Sequence, residues 1–296
     1  MGGIIVLVLI LWLLIQTPYV QNRLVDNVLK TISKNLKTTI SIGSVNFSLF
    51  NKFAINDVLV RDRSKDTLLY AGHIRLNISD WFFLKKDIAI SYAGLEDVYI
   101  NTYRKDSTWN YQFIMDALSS GKQSNGKPTA LKLNIGALDL KKIRYTSKDE
   151  WRGEDQDLTI AKLSLSAGLI DLKNKKIQFN NFTINQPYFA LHQHTGKRPK
   201  SLVPKTEKRI NGKLYWNPGQ WNISARSISL QSGNFKSDLA TSIKAYDHFD
   251  GAHMHFSDIT AGIKNLQLNN DSLSGQLSLK TKERSGFEVS ALLANV

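Results

Sequence analysis

The chain has 296 residues and a mass of 33.4 kDa, room for one large or two ordinary domains, and 42% hydrophobic residues suffice for a core. Its formal charge of +14 raises the prospect of an anionic partner. The basic residues, however, are scattered at polar strand positions, as in Lys65, Lys132, Lys141, Lys142, Lys173 and Lys175, and no aromatic-and-basic module accompanies them, which argues against nucleic acid; the absence of cysteine excludes disulfides, thiolate chemistry and Cys-ligated zinc.

Residues 1–17 open the chain with GGIIVLVLILWLLI, and an uncharged stretch runs on to Val20, long enough to approach the roughly 30 Å hydrocarbon layer. No small-x-small cleavage site follows, so an uncleaved membrane anchor is expected, with Ile4, Val6, Leu9, Trp12 and Ile15 in the apolar layer. The positive charges lie after this segment, at Arg23, Lys30, Lys34 and Lys37, and the charge rule alone would keep the following domain in the cytoplasm. Residues 18–37 then place Leu24, Val28, Ile32 and Leu36 four apart, the stripe of an amphipathic helix. That helix either lies on the membrane or plugs the end of the sheet that follows; the plug is preferred, because a first edge strand needs cover.

From residue 38 the apolar period changes from 3.6 to 2. The alternation slips by one at Gly43-Ser44, which predicts a bulge there, and continues in short runs such as Phe53/Ile55, Val58/Val60, Ile74/Leu76, Ile88/Ile90/Tyr92, Val98/Ile100, Leu138/Leu140 and Ile143/Tyr145. The same grammar reaches Leu277/Leu279, and about 15 to 20 strands can be placed in this way. A helix is predicted only near YQFIMDALSS, residues 111–120, followed by a Gly, Ser, Asn and Pro-rich loop at 121–128 that divides a first β segment, 38–120, from a second, 129–296. A loose repeat of about 40 residues joins FAINDVLVRDRSKD, YAGLEDVYINTYRKD and IGALDLKKIRYTSKD, each pairing two short strands with a charged turn.

Strands of this kind have one apolar face that something must cover, and helices able to do so are nearly absent after residue 37. The sheet therefore curls on itself, packs as a sandwich, or offers that face to an apolar ligand. On the last reading Val45, Phe47, Ile55, Leu76, Tyr92, Ile100, Leu133, Phe179, Ile184 and Phe189 line a groove for acyl chains; on the plain reading they are core.

Signs of catalysis are weak. The H-x-H pairs His192/His194 and His253/His255 lack a third ligand at a diagnostic spacing and read as structural or solvent-facing. The carboxylates of KDEWRGEDQD, Asp149/Glu150 and Glu154/Asp155, read as solvated turn charges. With no nucleophile elbow, phosphate loop, dinucleotide fingerprint or zinc-protease motif, neither an enzyme nor a cofactor or metal is expected.

The order TPYVQNRLVDNVLKTISKNLKTTISIGSVNFSLFNKFAINDVLVRD, then DTLLYAGHIRLNISDWFFLKKDIAISYAGLEDVYI, and DSTWNYQFIMDAL at residues 106–118, resembles the N-terminal region of the AsmA-like family, most closely its TamB-type members of Bacteroidota. The resemblance implies a mostly β chain. Behind a transmembrane helix and an amphipathic helix comes a long twisted sheet folded lengthwise around an apolar groove, a β-taco. It implies an inner-membrane protein, with its bulk in the periplasm, that passes phospholipid toward the outer membrane, and an Omp85-type barrel as partner. The positive flank expected before the anchor and the barrel-binding C-terminal region are missing, and the chain is expected to be the inner-membrane end of a longer bridge. Its strands would advance a groove by only about 70 to 95 Å.

Overall fold

The structure, a computed structural model, describes residues 33–34, 36–48, 52–78, 89–119, 134–171, 174–199, 217, 219–241, 244–269 and 272–295. The anchor residues Ile4, Val6, Leu9, Trp12 and Ile15, the helix residues Leu24, Val28 and Ile32, the loop 121–128 and Leu133 lie outside the described residues. Leu36 is described: it is half-buried and ends a helix. There Lys37 takes the left-handed conformation at φ 53°, while Thr38 N–H donates to Ser33 O and Lys37 N–H to Lys34 O, the pairing that closes a helix C-terminus.

The strands are β1 (Ile40–Ser41), β2 (Ser44–Ser48), β3 (Lys52–Arg61), β4 (Thr67–Ile78), β5 (Ala89–Arg104), β6 (Asn134–Asp149), β7 (Glu154–Asp171), β8 (Lys176–Gln193), β9 (Asn222–Leu239), β10 (His253–Asn269), β11 (Ser272–Glu283) and β12 (Glu288–Asn295). They form one open, curled sheet in the order β1-β3-β4-β5-β6-β7-β8-β9-β10-β11-β12, with β2 pairing β3 alongside β1. Neighbours are antiparallel except β5/β6 and β8/β9, which are parallel. Parallel neighbours need long crossovers. The first of these contains the helix α1 (Gln112–Ser119). Because β5 and β6 pair directly, the sheet is continuous across the loop between the two β segments.

The long strands explain why twelve are present where the short alternating runs suggested more. Seven segments share one pattern, visible in FAINDVLV (53–60), AGLEDVYI (93–100), LDLKKIRY (138–145), FTINQPYF (182–189), ISLQSGNF (228–235), MHFSDITA (254–261) and AGIKNLQL (261–268). In each, the fifth residue is left-handed: Asp57, Asp97, Lys142, Gln186, Ser232, Asp258 and Asn265 have φ between 50° and 56°. One such residue turns two consecutive side chains outward, as the exposed pairs Lys141-Lys142, Gln231-Ser232 and Lys264-Asn265 show. The apolar phase then resumes three residues on instead of two. Two runs that looked like separate strands are therefore the two halves of one bent strand.

All of these residues except Asn265 are aligned across the sheet. In β2 to β8 the ladders pass over Gly43, Asp57, Gly72, Asp97, Lys142, Ala161 and Gln186 in turn, each opposite the next, and Ser232 and Asp258 carry the line into β9 and β10, where the register shifts. The result is a crease running perpendicular to the strands. Asp57 and Asp97 face glycine on their antiparallel neighbours, and Lys142 and Gln186 face Ala161. A Cβ added to Gly43 would lie 2.9 Å from Asp57 Cβ, and one added to Gly72 would lie 3.0 Å from Asp97 Cβ. Pro187, which a central strand normally rejects for want of an N–H, sits directly after Gln186, where the β8/β9 ladder is already interrupted.

The predicted bulge at Gly43 takes a different form. Ile40 pairs with Val60 and Val45 with Ile55, so no extra residue is inserted between them; the irregularity belongs to the left-handed Asp57 opposite. The ten spacings of the sheet give about 50 Å along the crease, shorter than the strand count from sequence implied.

If the crease dictates these residues, Gly72→Val, which ordinary strand propensity would favour, should instead destabilise the fold by about 1 to 3 kcal/mol. Asp97→Gly, at a left-handed position, should stay within about 1 kcal/mol of the parent. Chemical denaturation measures both, and a Gly72→Val protein as stable as the parent would remove the crease as a constraint.

Candidate functional site: an uncovered apolar face

Residues directly opposite in a ladder share a face. Starting from Val45, one row runs Ile55, Ile74 and Leu95 in β3 to β5, then Leu140, Leu163, Ile184 and Leu230 in β6 to β9, and Ala261, Leu279 and Leu292 in β10 to β12. Every member is aliphatic. The adjacent row starts with Phe47 and Phe53, passes through Leu76, Ala93, Leu138 and Leu165, and continues as Phe182, Ile228, Ile263, Leu277 and Ala294. Both rows cross from β2 to β12 without a polar residue.

Beyond the crease the same face continues. Val58, Ala71, Val98, Ile143 and Ile160 form one row, and Val60, Leu69, Ile100, Tyr145, Leu158 and Phe189 begin the next. Phe235 and Phe256 extend that row, with Phe189 and Phe235 stacked at 6.0 Å between ring centroids and Phe235 and Phe256 tilted at 6.3 Å. At the other end of the strands Phe179 stacks on Phe182 at 6.2 Å.

Among the described residues this face has little cover. Every contact between the described elements joins strands that are neighbours in the sheet, and no large side chain among the described residues is fully buried. The buried apolar residues are mostly small or lie near strand ends, such as Ala71 at 1%, Ala93 at 6% and Ala225 at 3% exposure. Most large members of the rows are half-buried, and Leu292 at the β12 end is 42% exposed. Two sheets packed face to face would interdigitate their large side chains into a dry core. One curled layer leaves them partly open.

The sequence-named residues divide accordingly. Val45, Ile55 and Ile184 lie in the first row, Phe47 and Leu76 in the second, Ile100 and Phe189 in the aromatic row, and Phe179 beyond the second row, stacked on Phe182. Tyr92 does not join them. Between Ile90, which pairs with the buried Ile78, and Ala93 the apolar phase skips a residue, placing Tyr92 opposite Asn77 and Ala137 on the polar face. There burial and the neighbouring Asp139 carboxylate raise its hydroxyl above the ordinary tyrosine range.

The polar face and the strand ends hold the remaining candidates. Asp149, expected as a solvated turn charge, is instead 5% exposed and receives both arms of Arg104, at 2.7 and 2.6 Å. Burial would raise its carboxyl, but the Arg104 fork and the Arg152 N–H outweigh this and hold it below the usual range. Glu150 instead pairs with Lys197 at the surface. His194 Nε2 is 3.4 Å from Asp155 and His253 Nδ1 is 3.4 Å from Asp238. Among the described residues no three His, Asp or Glu side chains come together closely enough to hold a metal ion.

Glu283 ends the aromatic row opposite Phe256 and fixes the last turn, accepting from Ser285 N–H at 2.7 Å, from the Ser285 hydroxyl and from His255 N–H at 3.1 Å. Burial opposes its ionisation, yet these donors win and lower its pKa from 4.5 to about 2. A carboxyl depressed on folding stabilises fully above its unfolded value and loses that contribution as pH falls through the folded one. The stability difference between the parent and Glu283→Gln is therefore expected to be constant near neutrality and to shrink between pH 4.5 and 2. Urea melts at several pH values measure it, and a difference that does not change with pH would show that the ionised carboxylate does not hold the turn.

A scan against protein-family models finds no match for the chain, and a search of curated proteins finds no significantly similar sequence.

Proposed function

We propose that this chain is a non-enzymatic lipid carrier, in which the apolar face is the floor of a lengthwise-folded groove that holds acyl chains. The apolar segment at residues 1–17 anchors it in a bacterial inner membrane, the sheet lies in the periplasm, and phospholipid moves along the rows toward the outer membrane. The observation that carries this reading is the pair of apolar rows, uninterrupted from β2 to β12, on a face that no described element covers. Rows perpendicular to the strands suit a chain-like ligand, because an acyl chain meets the same chemistry at each strand. Each methylene taken from water contributes about 0.8 kcal/mol, with no directional contact to break between positions.

A second reading is favoured by the far edge of the sheet, where Leu293 is 82% and Phe287 54% exposed beside the β12 edge, which no described strand pairs. An edge of this kind recruits a strand. On that reading the sheet is a periplasmic scaffold that docks an Omp85-type barrel or another envelope protein, and the apolar face is covered by protein.

A photo-crosslinking residue at Ile184 or Leu230 on the apolar face, and at Thr183 on the polar face, separates the two in the full chain within its membrane. The lipid reading predicts phospholipid adducts at Ile184 and Leu230 and none at Thr183. It also predicts that Ile184→Asp lowers the Leu230 adduct by about tenfold, since a charge in the path is costly to dehydrate. Protein adducts alone at the apolar positions would overturn it in favour of the scaffold.

A further inference from the structure

The apolar face ends differently at its two margins. Along β5 it reads Arg104 and Thr102, then Ile100, Val98, Leu95 and Ala93. The next two strands repeat that order: Asp149 and Ser147 precede Tyr145 in β6, and Glu154 and Gln156 precede Leu158 in β7. These residues lie opposite one another, so the switch from polar to apolar falls at one level on all three strands, and on β8 it falls one step further out, between Leu191 and Gln193. The polar groups are matched among themselves, Arg104 donating to Asp149 at 2.6 Å and Gln156 Nε2 to Glu154 at 2.8 Å. At the opposite margin the apolar phase steps over three residues once more, from Phe182 to Phe179, from Ile228 to Ala225 and from Ile263 to Leu266, and the face stays apolar. Ile78 and Ile90 close this margin in β4 and β5, and Ile177, Ile223, Leu268 and Leu273 form its outermost row in β8 to β11. Among the described residues, one lip of the face is polar over β5 to β8 and the other is apolar.

We infer that a phospholipid lies across this face in one orientation, with its phosphate end at the polar lip of β5 to β8 and its acyl tails running along the strands toward the apolar lip. The inference rests on the lipid reading above. A tail placed over Gln156 and Glu154 would bury little apolar surface and would strip water from an amide and a carboxylate. A phosphate placed over Ile177 or Leu268 would lose its own hydration with no side-chain donor to replace it. Only one direction across the face avoids both costs. The lengths agree with it. A tail spans half of the hydrocarbon layer, about 15 Å, and from Leu158 to Leu163 the strand rises about 17 Å. A tail that starts at the aromatic row therefore ends on the two long apolar rows, where Leu163 and Ile184 are opposite one another. Arg104 is neutralised by Asp149, and Glu154 is engaged by Gln156, so the lip orients the lipid by polarity and does not select one headgroup. Movement is then a sideways step from strand to strand, with the phosphate held at the same lip throughout.

The test uses the full chain in phosphatidylcholine vesicles that contain one of two photoreactive phosphatidylcholines, with a diazirine either on the headgroup or at the end of one acyl tail. Labelled residues are identified by mass spectrometry. The headgroup probe is expected to label residues 154–158 and 189–193 at least about tenfold more than residues 163–169 and 177–184, and the tail-end probe to show the reverse preference. Equal labelling of both sets by each probe would mean that the lipid lies lengthwise or without order, and would overturn the inference. So would the opposite preference. In both of those cases the adducts themselves keep phospholipid on the apolar face, so the lipid reading stands while the orientation falls. Absence of adducts from either probe on the sheet would reject the lipid reading and the orientation with it.

Discussion

Everything in this fold depends on a backbone constraint, the left-handed residue set into the middle of strand after strand. A regular strand alternates its faces without interruption, and a long regular sheet would offer a gently twisted surface. Here Asp57, Asp97, Lys142, Gln186, Ser232 and Asp258 each turn two successive side chains outward, and their alignment makes a line along which the sheet bends. Non-glycine residues pay about 1 to 2 kcal/mol in this conformation. The polar side chains chosen are the ones that hydrogen-bond locally or reach a neighbour, as Asp57 does with Tyr70 at 2.8 Å and Lys142 with Asp97 at 3.2 Å. Those pairs are largely exposed and contribute little by themselves. The offset comes from the apolar rows, which remain in register on both sides of the bend.

The crease also accounts for the division of labour across the sheet. On one side lie the two long apolar rows, and on the other an aliphatic row, an aromatic row and then a polar rim, where Arg104–Asp149 and the Asp62 turn hold the strand ends. A closed barrel would have consumed the edges, and a sandwich would have consumed the face. The open, curled sheet consumes neither, so its stability comes chiefly from ladder hydrogen bonds and half-buried aliphatic neighbours. A bound amphiphile would complete that burial, which links ligand occupancy to the rigidity of the fold.

Much of this was legible in the sequence, and the limits have physical causes. Alternation in runs such as Leu163/Leu165 and Phe182/Ile184 marks the strands and the apolar face correctly, and α1 at Gln112–Ser119 falls within the predicted 111–120. The three-residue step from Leu95 to Val98 or from Leu140 to Ile143 is equally visible, but a step of three is what a turn between strands also leaves, and so one strand reads as two. The repeat that begins at Phe53, Tyr92 and Ile135 shows in the sequence through its charged turns, whereas its structural content is the left-handed fifth residue in the segments starting at Phe53, Ala93 and Leu138. Tyr92 falls on the polar face for a different reason, a one-residue register shift between β4 and β5 that the alternation Ile88/Ile90/Tyr92 does not reveal. The Arg104–Asp149 pair, 45 residues apart, could not be read at all, because only the parallel pairing of β5 with β6 brings the two strand ends together.

The central claim is that the apolar face is occupied by acyl chains and not by protein. Native mass spectrometry of the full chain released from its membrane tests it most directly. The account predicts added masses equal to whole phospholipids, lost when Ile184 is replaced by Asp while the chain remains folded. A bare chain, or one carrying only the mass of another polypeptide, would contradict it.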